Sequence, residues 1–524
     1  MTGLGAALGI QWRTRRRLAG LWLVALVGSL WATATSVAGL YDSPAKVATY
    51  SGAVATDALV AINGRVAGID TLGGIVQDEF AFVAAVLLPL CGIALVAGST
   101  RREEESGRLE QLLAGRMDRR APLVASLLGV LAVVALVVAG GVGALVSSGL
   151  PVAGSLLYVA ALGGLMLLFA ALAAVLGQVV LHARGVYAGS LAVLGLAYVV
   201  RGVGDVEGWW LAWLSPLTWV ERAEPFAGQR WWVLAVPLAG AALLAGAAVV
   251  LAGRRDLGSA RWRAGAGPGR AGALLRHPVG LALVVHRGSL AGWLTGAVVL
   301  AAVMGSLAQE VVAAIEGNPA LSGYLAISGG DPADGFLAVV VLFLTVVAVG
   351  YVVQAVGTLR REETEGRLEP QLAGTTSRWR WLGAQLVVVG GGLVAVLGAS
   401  SLVLGLTTAR STGEESYLWS LPAAGLAFVP AVLVVLGAAL ALFGVAPRAY
   451  PLAWVVVGLV AFVALLGTGL QLPGWVLDLS PTTHVGTPPD GAVARPALLV
   501  LTLVAAALAG TGFAGFRRRL VPRG

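Results

Sequence analysis

The chain has 524 residues, of which 58% are hydrophobic and only 12% charged, and its mean hydropathy is +0.87. That balance excludes a water-soluble domain, and apolar runs of about 18 or more residues recur along the whole length, so composition predicts an all-α polytopic membrane protein embedded in a lipid bilayer. The net charge of +8 does not imply a nucleic-acid partner, because the arginines lie in short loops between apolar runs, where the preference for basic cytoplasmic loops accounts for them.

In chain order, residues 1–17 are a short lead with Arg13, Arg15, Arg16 and Arg17, and the first apolar run extends from Leu18 to about Leu40. Basic residues ahead of an apolar run also mark a signal peptide, but this run is longer than a typical signal core and many spans follow, so it reads as an uncleaved helix. Residues 41–79 form a loop with Asp42, Asp57, Asp70, Asp78 and Glu79, and spans at about 80–99, 122–147, 152–181, 186–200 and 233–252 complete six. A basic, Gly-rich linker covers 254–278, and spans near 289–308, 336–358, 382–408, 421–444, 450–470 and 496–514 make six more. The domains expected are therefore a six-span repeat at 1–253, the linker, and a second six-span repeat at 279–524.

The repeat is visible in the sequence itself. Arg101–Gly115 reads RREEESGRLEQLLAG and Arg360–Gly374 reads RREETEGRLEPQLAG, with 11 of 15 positions identical. Both stretches carry far more charge than their apolar neighbours and belong in water. If the N-terminus is cytoplasmic and each span crosses once, the inside loops hold 28 of the 35 basic residues and 10 of the 27 acids. That asymmetry predicts cytoplasmic N- and C-termini, and six spans per half make the repeats parallel about an axis along the membrane normal.

Within each charged stretch, Glu104 to Arg108 and Glu363 to Arg367 have i,i+4 spacing, and Leu109, Leu112 and Leu113 share a face, which predicts an amphipathic helix. Three readings are open for it: a loop that only sets topology, a site built from its clustered glutamates, or a docking surface for a partner that drives transport. No HExxH or comparable ligand set is present, His182, His277, His286 and His484 are dispersed, and Cys91 is the one cysteine, so neither a catalytic nor a metal site is expected. A second repeated signature, LSPLTWV at Leu214–Val220 and LSPTTHV at Leu479–Val485, precedes the last span of each half on the predicted outer side. Ser215, Pro216 and Trp219, with Ser480, Pro481 and His484, suit a turn or short helix start capped by a hydroxyl, or a substrate contact. The tryptophans nearby, among them Trp209, Trp210, Trp231, Trp232 and Trp475, suit an interfacial belt.

The order of a span, RREEExGRLExLLAG, further spans and LSPxTW before the sixth, duplicated in one chain, resembles the permease subunit of ABC-2-type transporters, and in particular the duplicated actinobacterial form of polyketide-antibiotic exporters of the tetronasin-resistance type. The resemblance implies ATP-driven export by alternating access, a connecting helix before the first span, and coupling elements that sit on an ATPase. By position these are Glu103, Glu104, Gly107, Arg108 and Glu110, and Glu362, Glu363, Gly366, Arg367 and Glu369. Pro370 replaces Gln111 and is expected to break or bend the second coupling helix early. The resemblance also places the pathway between the second and fifth spans of each half, with Val86, Leu194, Val340 and Val457 as trial lining positions.

A Walker A motif needs a lysine, and the single lysine, Lys46, stands in SPAKVA, so ATP and Mg are expected on a separate ATPase, in two copies, and no cofactor on this chain. Few charges fall inside the spans, which suits a lipophilic or amphiphilic solute. The alternative is a twelve-span ion-coupled secondary transporter, which needs a titratable group near mid-membrane that the sequence does not offer.

Overall fold

In a computed structural model of the chain the described residues are 2–54, 60–61, 63–259, 270, 272–317, 331–374, 376–466 and 473–519. They divide into two compact units, Met1–Gly265 and Ala266–Gly524. Part of the predicted linker (260–269 and 271), Asp57 and the end of the predicted span 450–470 lie outside the described residues.

The first unit contains six long helices: α1 (Leu4–Leu40), α2 (Leu72–Ser99), α3 (Ala121–Ser147), α4 (Val152–Val179), α5 (Ala183–Val206) and α6 (Ala235–Arg254). Apolar sequence alone does not set their ends. Thr71 opens α2 by accepting a hydrogen bond from Gly74 N–H at 3.0 Å, and Pro151 precedes α4 with extended backbone. The predicted lead and first span are one 37-residue helix, because residues 4–40 contain no proline and nothing in them interrupts the backbone ladder. Among the described residues the connecting stretch implied by the family resemblance is therefore continuous with the first span and not a separate helix. Helix α5 is also longer than expected and carries Arg201 and Asp205 inside it, both buried.

The second unit contains α7 (Pro278–Ser306), α8 (Pro332–Thr364), α9 (Arg378–Thr412), α10 (Tyr417–Ala427), α11 (Val429–Val445), α12 (Leu452–Leu466) and α13 (Arg495–Arg518). Asp331 caps α8 from its carboxylate to Ala333 N–H at 2.9 Å, and Ser377 caps α9 through Arg380 N–H at 3.3 Å. The predicted span 421–444 is interrupted at Phe428, one residue before Val429 and Pro430, since Pro430 has no N–H to continue the ladder.

Among the described residues, eleven helices are long and apolar enough to cross a membrane. The twelfth predicted span is represented by α12, whose 15 described residues make about 22 Å, short of a hydrocarbon core of about 30 Å.

Helix α4 is the centre of the first unit, with Tyr158, Met166 and Phe169 buried against α2, α3, α5 and α6. Helix α8 has that place in the second, where Tyr351 and Leu344 are buried and α7, α9, α11 and α12 surround it. The outer helices expose large apolar side chains instead, such as Leu21, Val24, Leu243 and Leu499, a surface that only lipid or another apolar surface can cover. Glycines let the inner helices approach: a Cβ on Gly92 of α2 would lie 2.5 Å from the Met166 carbonyl of α4, and one on Gly512 of α13 would lie 2.6 Å from the Leu440 carbonyl of α11. Gly92→Ala is expected to cost about 1–3 kcal/mol and lower the melting temperature in detergent, whereas Gly143→Ala, with open space at its Cβ, should not. Equal melting temperatures would show that close glycine packing does not hold α2 to α4.

Candidate functional site

The charged hairpins follow α2 and α8. In the first, Thr100 interrupts the helix and a short segment, Arg101–Glu105, leads to Gly107 and then to a second short helix, Arg108–Leu113. In the second, α8 runs unbroken to Thr364, Gly366 makes the turn, and a short helix covers Leu368–Leu372. Gly107 and Gly366 have φ of +73° and +71°. In the second copy Gly366 N–H donates to Glu363 O at 3.2 Å and Arg367 N–H to Glu362 O at 3.0 Å, the paired bonds of a left-handed helix end. No neighbour lies within 4 Å of a Cβ at either glycine, so what glycine supplies there is the backbone conformation, which costs another residue about 1–2 kcal/mol.

That turn corrects two expectations. The hairpin is not one amphipathic helix, and the i,i+4 pairs do not form, because the turn carries Arg108 and Arg367 back toward Glu103 and Glu362, which they meet at 2.7 Å. Pro370 breaks nothing either. It falls in the first turn of its short helix, where an N–H has no helical partner, and that helix starts one position later than its counterpart. Leu109 and Leu368 are buried, Leu112, Leu113 and Leu372 half-buried, so the apolar face packs on the protein.

Glu104 and Glu363 point inward. The Glu104 side chain is 6% exposed and receives both Arg255 nitrogens, Nη1 at 2.9 Å and Nη2 at 2.6 Å, with Arg101 Nη1 at 2.8 Å and Gly258 N–H at 2.9 Å. Arg101 in turn donates to the Leu181 carbonyl at 2.7 Å, just before α5. The Glu363 side chain is fully covered and takes two bonds from Arg519, one of them at 2.9 Å, with Arg360 at 3.2 Å. Arg255 and Arg519 each stand directly after the last helix of their half. One buried carboxylate per half thus ties the exit of the second helix to the exit of the last.

These arginine partners were not read from the sequence. The one available signal was that RRD at 254–256 and RRR at 517–519 both follow a final span, which the cytoplasmic preference for basic loops already explained. Glu362, bonded to Arg367, is also buried, whereas Arg108 and Glu110, and Arg367 and Glu369, are exposed. Glu103 lies between, shared by Arg15 of α1 at 2.8 Å and Arg108. Glu105, whose counterpart is Thr364, accepts from Ala183 N–H at 2.9 Å and so sits on the N-terminus of α5.

The second repeated signature is a turn in both copies. Ser215 is buried, donates to the Ala197 carbonyl of α5 at 2.7 Å and accepts from Leu217 N–H at 3.3 Å, so its hydroxyl ties the turn to a span and closes the turn just before the short helix Thr218–Arg222. Pro216 is half-buried, and Trp219 donates to the Trp213 carbonyl at 2.8 Å. In the second copy Ser480 meets Thr482 at 2.8 Å, Pro481 is half-buried, and His484 faces the Asp478 carbonyl at 3.0 Å. Trp209, Trp210, Trp231, Trp232 and Trp475 are all exposed. Of the trial pathway positions, Leu194 and Val340 are buried in the core of their own halves, while Val86 and Val457 are half-buried.

A buried polar cluster above α4 was also missed. Arg201 meets Glu221 at 3.3 Å, Arg222 meets Asp205 at 3.3 Å, and the Tyr50 hydroxyl faces Asp78 and Glu79 at 2.7 and 2.9 Å. Burial holds the Glu221 carboxyl well above the usual carboxylate range, with Arg201 opposing. The glutamate lies in a short helix, Thr218–Arg222, that a span-by-span reading treats as loop. Among the described residues no three His, Cys, Asp or Glu side chains gather as a metal site would require.

Removing one partner of a buried ion pair costs about 3–5 kcal/mol, and replacing both by apolar groups recovers most of it. Arg519→Met is therefore expected to lower the melting temperature sharply, and Glu363→Met added to it to restore stability. Arg519 also lies 5.1 and 5.2 Å from the Phe443 and Phe516 rings, contacts that methionine retains in part. A double variant no more stable than the single one would show that the pair is not what joins the hairpin to α13.

Residues 275–517 match the family described as the C-terminal domain of the multidrug efflux system permease Rv1217c. The chain is 34% identical to the multidrug efflux system permease protein Rv1217c of Mycobacterium tuberculosis strain H37Rv over 496 residues, covering 93% of this chain and 87% of the relative. With the many apolar helices long enough to span a bilayer, that likeness identifies a multi-pass membrane protein that belongs to the multidrug efflux permease family.

Proposed function

We propose that the chain is the permease subunit of an ABC-2-type exporter that moves a lipophilic or amphiphilic molecule, of the polyketide-antibiotic kind, out of the cell by alternating access. Two copies of a separate ATPase chain, carrying ATP and Mg, dock one on each hairpin, and the termini are cytoplasmic. In this reading residues 1–253 and 279–524 are parallel six-span repeats joined by 254–278. The observation that carries it is the hairpin pair: in both halves one glutamate is locked inside by arginines, while Arg108 and Glu110, or Arg367 and Glu369, stay exposed. A loop that only set topology would need no such internal anchoring.

The family resemblance grouped the hairpin residues together, but their burial separates them. Reversing the exposed charges that make no internal pair (Glu110→Arg and Glu369→Arg) is expected to weaken capture of the ATPase at least about tenfold, a loss of about 1.4 kcal/mol, with the yield of folded permease unchanged. Reversing Glu104 or Glu363 should lower that yield instead. Capture that survives both exposed-charge reversals would sink the docking assignment.

The pathway positions divide in the same way. Val86→Trp and Val457→Trp are expected to reduce drug resistance while folded protein remains, and Leu194→Trp and Val340→Trp to reduce folded protein, since overpacking a core costs about 1–3 kcal/mol. No selective loss of transport at Val86 or Val457 would remove them from the path.

One residue bears on the ion-coupled secondary transporter: Glu221 is a buried carboxyl paired with Arg201 at 3.3 Å, but it lies in the short helix Thr218–Arg222 and not in a span. Transport in vesicles separates the two readings, since ATP-driven export continues when a protonophore collapses the gradient and proton-coupled export stops.

A further inference from the structure

Two grooves adjoin on the arginine-rich side of the first unit. One, of about 200 Å³, is apolar and bounded by α1, α2 and α3, with Leu95, Leu128 and Val133 on its walls beside Trp12 and Arg16. The other, of about 540 Å³, lies between α1 and the first hairpin and is lined by Arg102, Glu103 and Arg108. Gln11, Arg15 and Ser99 line both, so the two share a wall. The shared wall is short of negative charge. Glu103 already serves Arg15 and Arg108, and Arg16 and Arg102 have no ion-pair partner among the described residues. Trp12 is exposed beside them on α1, the position such a ring takes at a membrane–water boundary.

We propose that this double groove binds one anionic glycerophospholipid, an acyl chain lying in the apolar part and the phosphate among Arg15, Arg16 and Arg102. An apolar groove opening sideways takes any acyl chain, so selectivity must come from the head group. Guanidinium groups bind phosphate oxygens in a fork, and an anionic lipid brings no ammonium to add to the surplus of positive charge, whereas phosphatidylcholine does. The bound phosphate also competes with Glu103 for Arg15, which places the lipid against the hairpin itself. This site does not depend on the export reading, and its test reads lipid retention rather than transport.

The experiment is native mass spectrometry of the purified full chain with dioleoyl phosphatidylglycerol or dioleoyl phosphatidylcholine added. The wild type is expected to retain phosphatidylglycerol at least about fivefold more tightly. Arg16→Gln with Arg102→Gln should abolish the preference, and Arg13→Gln with Arg17→Gln, on the same helix but off the groove, should keep it. Melting temperatures equal to wild type confirm that the variants are folded. Equal retention of both lipids would overturn the proposal, as would a preference that survives in the groove variant. Equal loss in the off-groove variant would show only surface attraction, and competition by glycerol phosphate as effective as by the lipid would show an anion site without a chain. An acidic partner protein that displaces neither lipid leaves the assignment standing; one that binds in place of both removes it.

Discussion

A carboxylate taken out of water must be met by positive charge and hydrogen-bond donors, or it costs several kcal/mol. Glu104 and Glu363 are such carboxylates, each at the exit of the second long helix of its half and each met by an arginine at the exit of the last, Arg255 or Arg519. Chain segments about 150 residues apart in sequence are thereby joined at one point. The hairpins depend on that point, since neither is long enough to be a stable helix by itself. With Glu104 or Glu363 held inside, the left-handed glycine turns the next residues outward and exposes a short charged edge twice in the chain.

Behind the hairpins the membrane sets different terms. Lipid offers no hydrophobic reward for joining helices, so packing must come from shape, and backbone contacts at Gly92 and Gly512 supply it in the two halves. Helices α1, α6, α7 and α13 are the least covered, and α4 and α8 are mostly covered. Polar groups deep in the first half, Arg201, Asp205 and Glu221 among them, survive there by pairing with each other.

Much of the helical plan was legible in the sequence, because about 20 apolar residues in a row have few alternatives to a spanning helix. Span ends were less so: α1 absorbs the arginine lead, and α10 and α11 divide at Phe428 one residue before the Val429–Pro430 pair. The hairpin motif was found through its repetition, but its internal pairing was assigned by helical spacing, and a single left-handed glycine defeats that rule. The partners Arg255 and Arg519 were hidden by distance along the chain and by a second, sufficient reason for basic residues at helix exits. Glu221 was hidden because burial of a loop carboxylate is a tertiary fact with no local pattern.

The central claim is that the two anchored hairpins are the surface on which a driving partner acts. Carboxyl-to-lysine crosslinking of the permease with its co-purified ATPase, read residue by residue, tests it most directly. Crosslinks to the partner from Glu110 and Glu369, with none from the enclosed Glu104 and Glu363, are the expected result. Partner crosslinks that avoid residues 101–115 and 360–374 altogether would contradict it.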